Sequence, residues 1–256
     1  MLLDKMNFIW SRNPSEAYEN PYEYEAQEQF LREAKGLCNQ IFDHLMKKNR
    51  SFSRDDTSVN KAVWMLHVDA CDTLRDCVEL LVEKKHRPAG KLFRDVIETV
   101  DCARFFLSST PKSEKALKNW YEDISPKHKE IRDWMGAKKS ELLNQLGVEY
   151  NQMSKFTHRT YRVLAYNYIL SANDKLAYEG EYSTSALPHA IALCCALLAN
   201  YIMLFTNSLT ICGLANVKEM MAFWEAAIEK RPIQKRIHTN KDIYLAHLES
   251  NDEGKV

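Results

Sequence analysis

Arg87-Pro88-Ala89-Gly90-Lys91-Leu92-Phe93-Arg94-Asp95-Val96-Ile97-Glu98, running on to Phe106, is the stretch whose reading decides the fold. Its apolar residues recur at intervals of three and four, the period of a helix with a buried face. Arg94, Glu98 and Asp101 fall on one stripe, because steps of four and three residues at 100° each nearly close a turn. The apolar arc of Leu92, Val96, Val100 and Leu107 is expected to face the other way. Two readings of the stripe stand side by side. One is a solvated i,i+4 ion pair worth roughly a few tenths of a kcal/mol. The other is a buried network lining a site. Arg precedes Glu here, the weaker orientation for helix support, so helix stability alone is a poor reason for the pair.

The helical period extends in both directions. Residues 22–48 carry Phe30, Ala34, Leu37, Cys38, Ile41 and Leu45 on one face. Arg54-Asp55-Asp56-Thr57 reads as the capped start of a second helix. Its apolar stripe runs from Val59 through Leu66 and Leu74 to Leu81, with Asp69, Asp72, Asp76 and Glu79 opposite. Arg87-Pro88 is expected to end or kink that helix, since proline lacks an amide donor and clashes with the preceding turn. The third helix is expected over 89–107, stopped by Ser108-Ser109-Thr110-Pro111. Further helices are expected over 113–123, 126–146, 148–170 and 216–230, with a loop over 171–186. Residues 1–21 read as an arm with two Asn-Pro turns and 231–256 as a polar tail, leaving one helical domain over 22–230.

The composition agrees. Only 7 Gly and 7 Pro interrupt 256 residues, which favours long helices over many short strands. No repeat and no sustained period-2 run occurs. The expectation is an all-α fold, a single bundle of about five to eight helices around a central apolar helix. That helix is expected after Leu187-Pro188. No Asp, Glu, Lys or Arg occurs between Glu181 and Lys218, and Ala190 to Phe205 reads AIALCCALLANYIMLF. The run falls short of the roughly 18–20 apolar residues of a membrane span. It is read as the core of the bundle, with a membrane-associated helix as the alternative.

Charge and cysteine use narrow the function classes. Lys plus Arg and Asp plus Glu are 35 each, which removes the argument for bulk nucleic-acid binding and gives no DNA signal. The 7 Cys are odd in number, form no C-x-x-C, and mostly sit at apolar helical positions. They read as reduced core thiols of a cytoplasmic chain with no signal peptide. Glu83-Lys84-Lys85-His86 is a single Glu-x-x-His, where a di-iron bundle needs two, so no metal is expected. No phosphate loop, G-x-S-x-G or H-E-x-x-H is present, and no cofactor is expected.

A second polar constellation lies in Tyr150-Asn151-Gln152-Met153-Ser154-Lys155-Phe156-Thr157-His158. Ser154 and His158 are one helical turn apart, so the hydroxyl can bond the ring, and a histidine titrating near neutrality serves as acid or base. Both are carried forward as catalytic candidates against a structural histidine. Lys155, Arg159 and Arg162, with Tyr161 and Tyr166 between and beyond them, have the basic-aromatic composition of a phosphate-binding and base-stacking face, against a plain solvated one.

The Arg94…Glu98 helix followed by Ser154…His158 resembles a family of uncharacterised bacterial all-helical proteins in which an R-x-x-x-E helix and an S-x-x-x-H helix pack together. It is similar, distantly, to the HEPN group, many of whose members are ribonucleases or toxins in phage defence and toxin–antitoxin systems. The resemblance covers about residues 60–210 and implies a bundle that binds RNA or protein, often as a homodimer. HEPN nucleases share an Arg-x(4–6)-His motif that activates the RNA 2′-hydroxyl. Asn151 and Gln152 stand where that Arg would precede His158, and the sole match is Arg231…His238 in the tail. The expectation is therefore a HEPN-like protein acting through protein or RNA partners. A metal-independent ribonuclease using His158, with Ser154 orienting it and Arg94 or Arg159 holding phosphate, is the alternative.

Overall fold

The computed structural model describes residues 21–47, 51–136, 168–170, 176–178 and 187–229. The described residues form seven helices: α1 (Pro21–Met46), α2 (Val59–Val82), α3 (His86–Leu107), α4 (Pro111–Tyr121), α5 (His128–Gly136), α6 (Leu187–Ile211) and α7 (Val217–Ala227). The fold is all-α. Two three-residue strands, β1 (Tyr168–Leu170) and β2 (Leu176–Tyr178), add a small antiparallel ribbon with Tyr168 opposite Tyr178.

Helices α1, α2, α3 and α6 make the core, and α6 packs on the other three. Leu37 and Ile41 of α1, Leu74 and Val78 of α2, Phe93 and Ile97 of α3, and Leu198, Tyr201 and Phe205 of α6 share one buried cluster. The rings of Phe93 and Tyr201 stack at 4.9 Å, 10° from parallel. Each such side chain contributes about 1.5–3 kcal/mol by leaving water. The apolar helix is thus the central one. Most of its circumference is used by the bundle, and among the described residues no helix is long and apolar enough to cross a membrane.

A smaller cluster lies on the other side of α3. Ala62, Cys102, Phe105, Phe106 and Ile131 are buried there, with Trp120, Tyr121 and Trp134 packed around them. It fastens α4 and α5 to α3. With neighbours on both sides, α3 leaves only Lys91 and Asp95 exposed. The expected apolar arc holds at Val96 and Val100, which are buried, and is corrected at its two ends. Leu92 and Leu107 are half-buried, while Phe93, Ile97, Phe105 and Phe106 take the buried positions.

Several expected boundaries shift. Helix α2 is capped by Ser58, whose hydroxyl accepts from the Lys61 amide, and not by the Arg54–Thr57 run. Asp56 instead turns back to accept from the Ser58 amide at 2.7 Å. Pro88 does not end α2. It lies in the first turn of α3, where amides have no intrahelical partner, and α2 stops at Lys84 with a left-handed backbone (φ 64°). Thr110-Pro111 both closes one helix and opens the next, since Thr110 and Ser113 form a capping box at the start of α4. The helix expected over 148–170 and the loop over 171–186 are corrected in part, because Tyr168–Leu170 and Leu176–Tyr178 pair as strands. Aromatic and branched residues in that pair suit a pleated surface better than a helix end.

Candidate functional site

The α3 stripe is assembled as the sequence spaced it, and α5 completes it. Arg94 Nε donates to Glu98 Oε1 at 2.7 Å, with the two side chains 29% and 30% exposed. Asp101, three residues on, is far more enclosed, its side chain 7% exposed. His128, the first residue of α5, is laid over it. His128 Nε2 lies 3.4 Å from Asp101 Oδ2, and Nδ1 lies 3.8 Å from Glu98 Oε1.

The cause is the packing of α5. Ile131 and Trp134 lie three and six residues after His128, each about 60° further round the helix, so Ile131 sits between the other two. Ile131 enters the cluster with Phe105 and Phe106, and Trp134 meets Phe105 edge-on at 5.3 Å. Phe105 in turn is one helical turn beyond Asp101. Anchoring α5 through these aromatics brings its first residue to the polar stripe. Four groups therefore run in sequence: Arg94, Glu98, His128, Asp101. Arg94, Glu98 and His128 carry further interactions besides these, so the network does not end with the four.

The neighbourhood is acidic. Asp95, exposed next to Arg94, has its carboxyl pushed above the usual range by loss of water and then by the Glu98 charge, with Arg94 opposing. Loss of water also raises Asp69 on α2, against a hydrogen bond from Thr99. Chemically, an imidazole facing two carboxylates donates from one nitrogen when neutral and from both when protonated. A carboxylate that orients such a ring is the arrangement of general acid–base sites, and equally of polar recognition sites.

Among the candidates from the sequence, Arg94, Glu98 and Asp101 are brought together. Ser154, Lys155, His158, Arg159 and Arg162 lie outside the described residues. His128 was missed by sequence reasoning. Its signal was available only as a histidine at the head of a short amphipathic helix, in Ser125-Pro126-Lys127-His128, with Ile131 and Trp134 following.

Two other histidines are core residues. His67 is fully buried, with Nδ1 2.7 Å from the Val63 carbonyl and Nε2 2.9 Å from Ser208 Oγ. A carbonyl only accepts, so Nδ1 carries the proton and Nε2 accepts from the serine. Burial lowers the His67 value to about 4, and burial with the Arg87 charge does the same to His86. The thiols are held in the protonated form. Burial pushes Cys38, Cys102 and Cys195 up to about 12 and raises the other four as well. Among the described residues no cluster of three His, Cys, Asp or Glu side chains could hold a metal ion.

No protein-family model matches the chain, no curated protein matches it in sequence, and no solved structure matches it in fold.

Proposed function

We propose that the chain is a HEPN-like helical protein of bacterial defence or stress response that works by binding a protein or RNA partner, with the Arg94–Glu98–His128–Asp101 network as its recognition site. One observation carries this reading: Asp101, nearly enclosed, faces a half-buried histidine supplied by a separate short helix. A buried carboxylate costs stability unless well paired, and a hydrophobic residue there would suit the bundle better. Polar groups retained at such cost fit a binding role. The balanced charge of 35 basic and 35 acidic residues favours specific recognition over bulk electrostatic capture.

The test compares wild type with Asp101→Asn and His128→Gln in binding to RNA oligonucleotides by fluorescence anisotropy, and to co-purifying protein by quantitative pull-down. The reading expects one of the two to fall at least about tenfold, or 1.4 kcal/mol, in both variants while the thermal unfolding curves stay cooperative. Unchanged binding in both assays by folded variants would remove the site from this role.

A second reading has its own support. The pairing of a His128 ring nitrogen with the Asp101 carboxylate also fits a metal-independent ribonuclease, with His128 joining or replacing His158 as the acid–base group. It differs from the first in one readout, cleavage of RNA in EDTA.

A further inference from the structure

Asp101 is enclosed without being satisfied. Its side chain is 7% exposed, and among the described residues its one hydrogen bond is the 3.4 Å contact of Oδ2 with His128 Nε2. A carboxylate has room for about four donors. A nine-tenths-buried carboxylate with one long bond therefore lacks a donor that the described residues do not supply. Acidic groups continue from it along α3 and onto α2. Asp95 is exposed beside Arg94, and Asp69 of α2 accepts from Thr99, the residue after Glu98. The charges of Glu98 and Asp69 add to loss of water in raising the Asp95 carboxyl, with Arg94 opposing. Asp69, Asp95, Glu98 and Asp101 thus make an acidic band, and the cation within it, Arg94, is already paired with Glu98 at 2.7 Å. Lys127 and Lys129 flank His128 but are exposed, so water and salt screen them more than they screen Asp101. Among the described residues no three of these groups converge as metal ligands would, which leaves an organic cation.

We propose that the group this site takes from its partner is a guanidinium, an arginine side chain of a basic protein segment, and that the partner is accordingly a protein and not RNA. The inference rests on the reading of the α3–α5 network as a recognition site and names what it recognises. A guanidinium presents several N–H donors in a planar fork that matches a carboxylate, so it supplies Asp101 with the donors it lacks. It is also more weakly hydrated than an ammonium, which lowers the cost of entering a site this enclosed. His128, facing Oδ2, holds the carboxylate in place from the other side. From Asp95 to Asp101 the helix rises about 9 Å, more than one guanidinium covers. A segment with two basic residues therefore fits better than a small free cation, the first on Asp101 and the second near Asp95 and Asp69. The phosphates of an RNA chain would meet the same band with like charge, which disfavours that partner.

Fluorescence anisotropy on the full chain tests the assignment with three labelled probes. One is a peptide of arginine alternating with glycine, one is the same peptide with citrulline for arginine, and one is a uridine oligonucleotide. Citrulline keeps the length of the side chain and removes its charge. Wild type should bind the arginine peptide and neither of the others. Asp101→Asn should weaken that binding about tenfold or more, and Asp95→Asn should weaken it about threefold. Glu225→Gln, which removes an exposed carboxylate on α7, should change it little, separating the site from overall charge. If Asp101→Asn does not unfold cooperatively, Asp95→Asn carries the test, since its carboxylate is exposed. No binding of the arginine peptide by wild type, equal binding of the citrulline peptide, or equal losses in Asp95→Asn and Glu225→Gln would each overturn the guanidinium. Oligonucleotide binding that Asp101→Asn abolishes, with no binding of the arginine peptide, would also overturn it but leave the recognition reading standing with RNA as the partner. No binding of any probe, together with unchanged binding in the RNA and pull-down assays above, would remove both.

Discussion

His128 Nε2 stands 3.4 Å from Asp101 Oδ2, across 27 residues of chain and at the junction of α3 with α5. The contact is made by a nearly enclosed carboxylate, whereas the Arg94–Glu98 pair beside it is about a third exposed. The two contacts should therefore differ in weight. Screening holds the exposed pair to about 0.2–1 kcal/mol. A double-mutant cycle with Asp101→Asn and His128→Gln should give a larger coupling, about 1 kcal/mol or more, because removing either partner leaves the other poorly satisfied away from water. Urea unfolding of the four proteins measures it, and a coupling near zero would mean that the two side chains are neighbours without being partners.

Parts of that relationship were legible in the sequence and parts were not. The stripe of Arg94, Glu98 and Asp101 follows from spacing alone, because helix geometry is local. That Asp101 is enclosed does not follow from spacing, since α5 docks through Ile131 and Trp134 onto Phe105 and Phe106, and docking is a tertiary event. The all-α class and the central apolar helix were likewise readable from few breakers and an uncharged run. Pro88 misled because proline is compatible both with ending a helix and with opening one, and only the turn at Lys84 decides. The β1–β2 pair was missed because three residues do not establish a period of two.

Acid should weaken the fold through two buried rings. His67 and His86 have folded values lowered to about 4 by burial, against an ordinary value near 6.5. Between those values the unfolded chain binds protons that the folded chain does not. Stability is then fully present above about pH 6.5 and falls as pH drops toward 4, by up to about 3 kcal/mol per ring. Asp69 and Asp95 are shifted up, so the folded chain protonates first and they oppose the loss at lower pH. The urea midpoint should accordingly fall between pH 7 and pH 5. An unchanged midpoint over that interval would show that the rings are not held neutral.

Ser208 is the side-chain partner of the His67 Nε2, and its oxygen also lies 3.8 Å from Cys212 Sγ. Ser208→Ala removes the donor and leaves a buried ring nitrogen without one, at a cost of about 1–3 kcal/mol. The loss should appear in thermal unfolding at pH 7. Ser208→Thr keeps a hydroxyl in reach and should recover part of it; equal losses would assign the effect to packing.

Lys61 gathers the turn before α2. Its ammonium donates to the carbonyls of Ser53, Arg54 and Asp56 at 3.0, 2.8 and 2.8 Å, and lies 5.8 Å from the Tyr121 ring centre. Lys61→Met keeps the stem and releases three carbonyls, so the turn should loosen while the bundle keeps its helices. The expected loss is about 1–2 kcal/mol, with faster tryptic cleavage after Arg54. Lys61→Arg should not restore protection, because a planar guanidinium does not direct three donors at one converging set of carbonyls. Cleavage at the wild-type rate in Lys61→Met would show that the ammonium does not hold the turn.

The central claim is that the α3–α5 network recognises a partner and does not catalyse. Purified wild type, His128→Ala and His158→Ala incubated with total RNA in EDTA test it most directly. The account predicts intact RNA in all three reactions. Cleavage by wild type that either substitution abolishes would contradict it and establish a metal-independent ribonuclease.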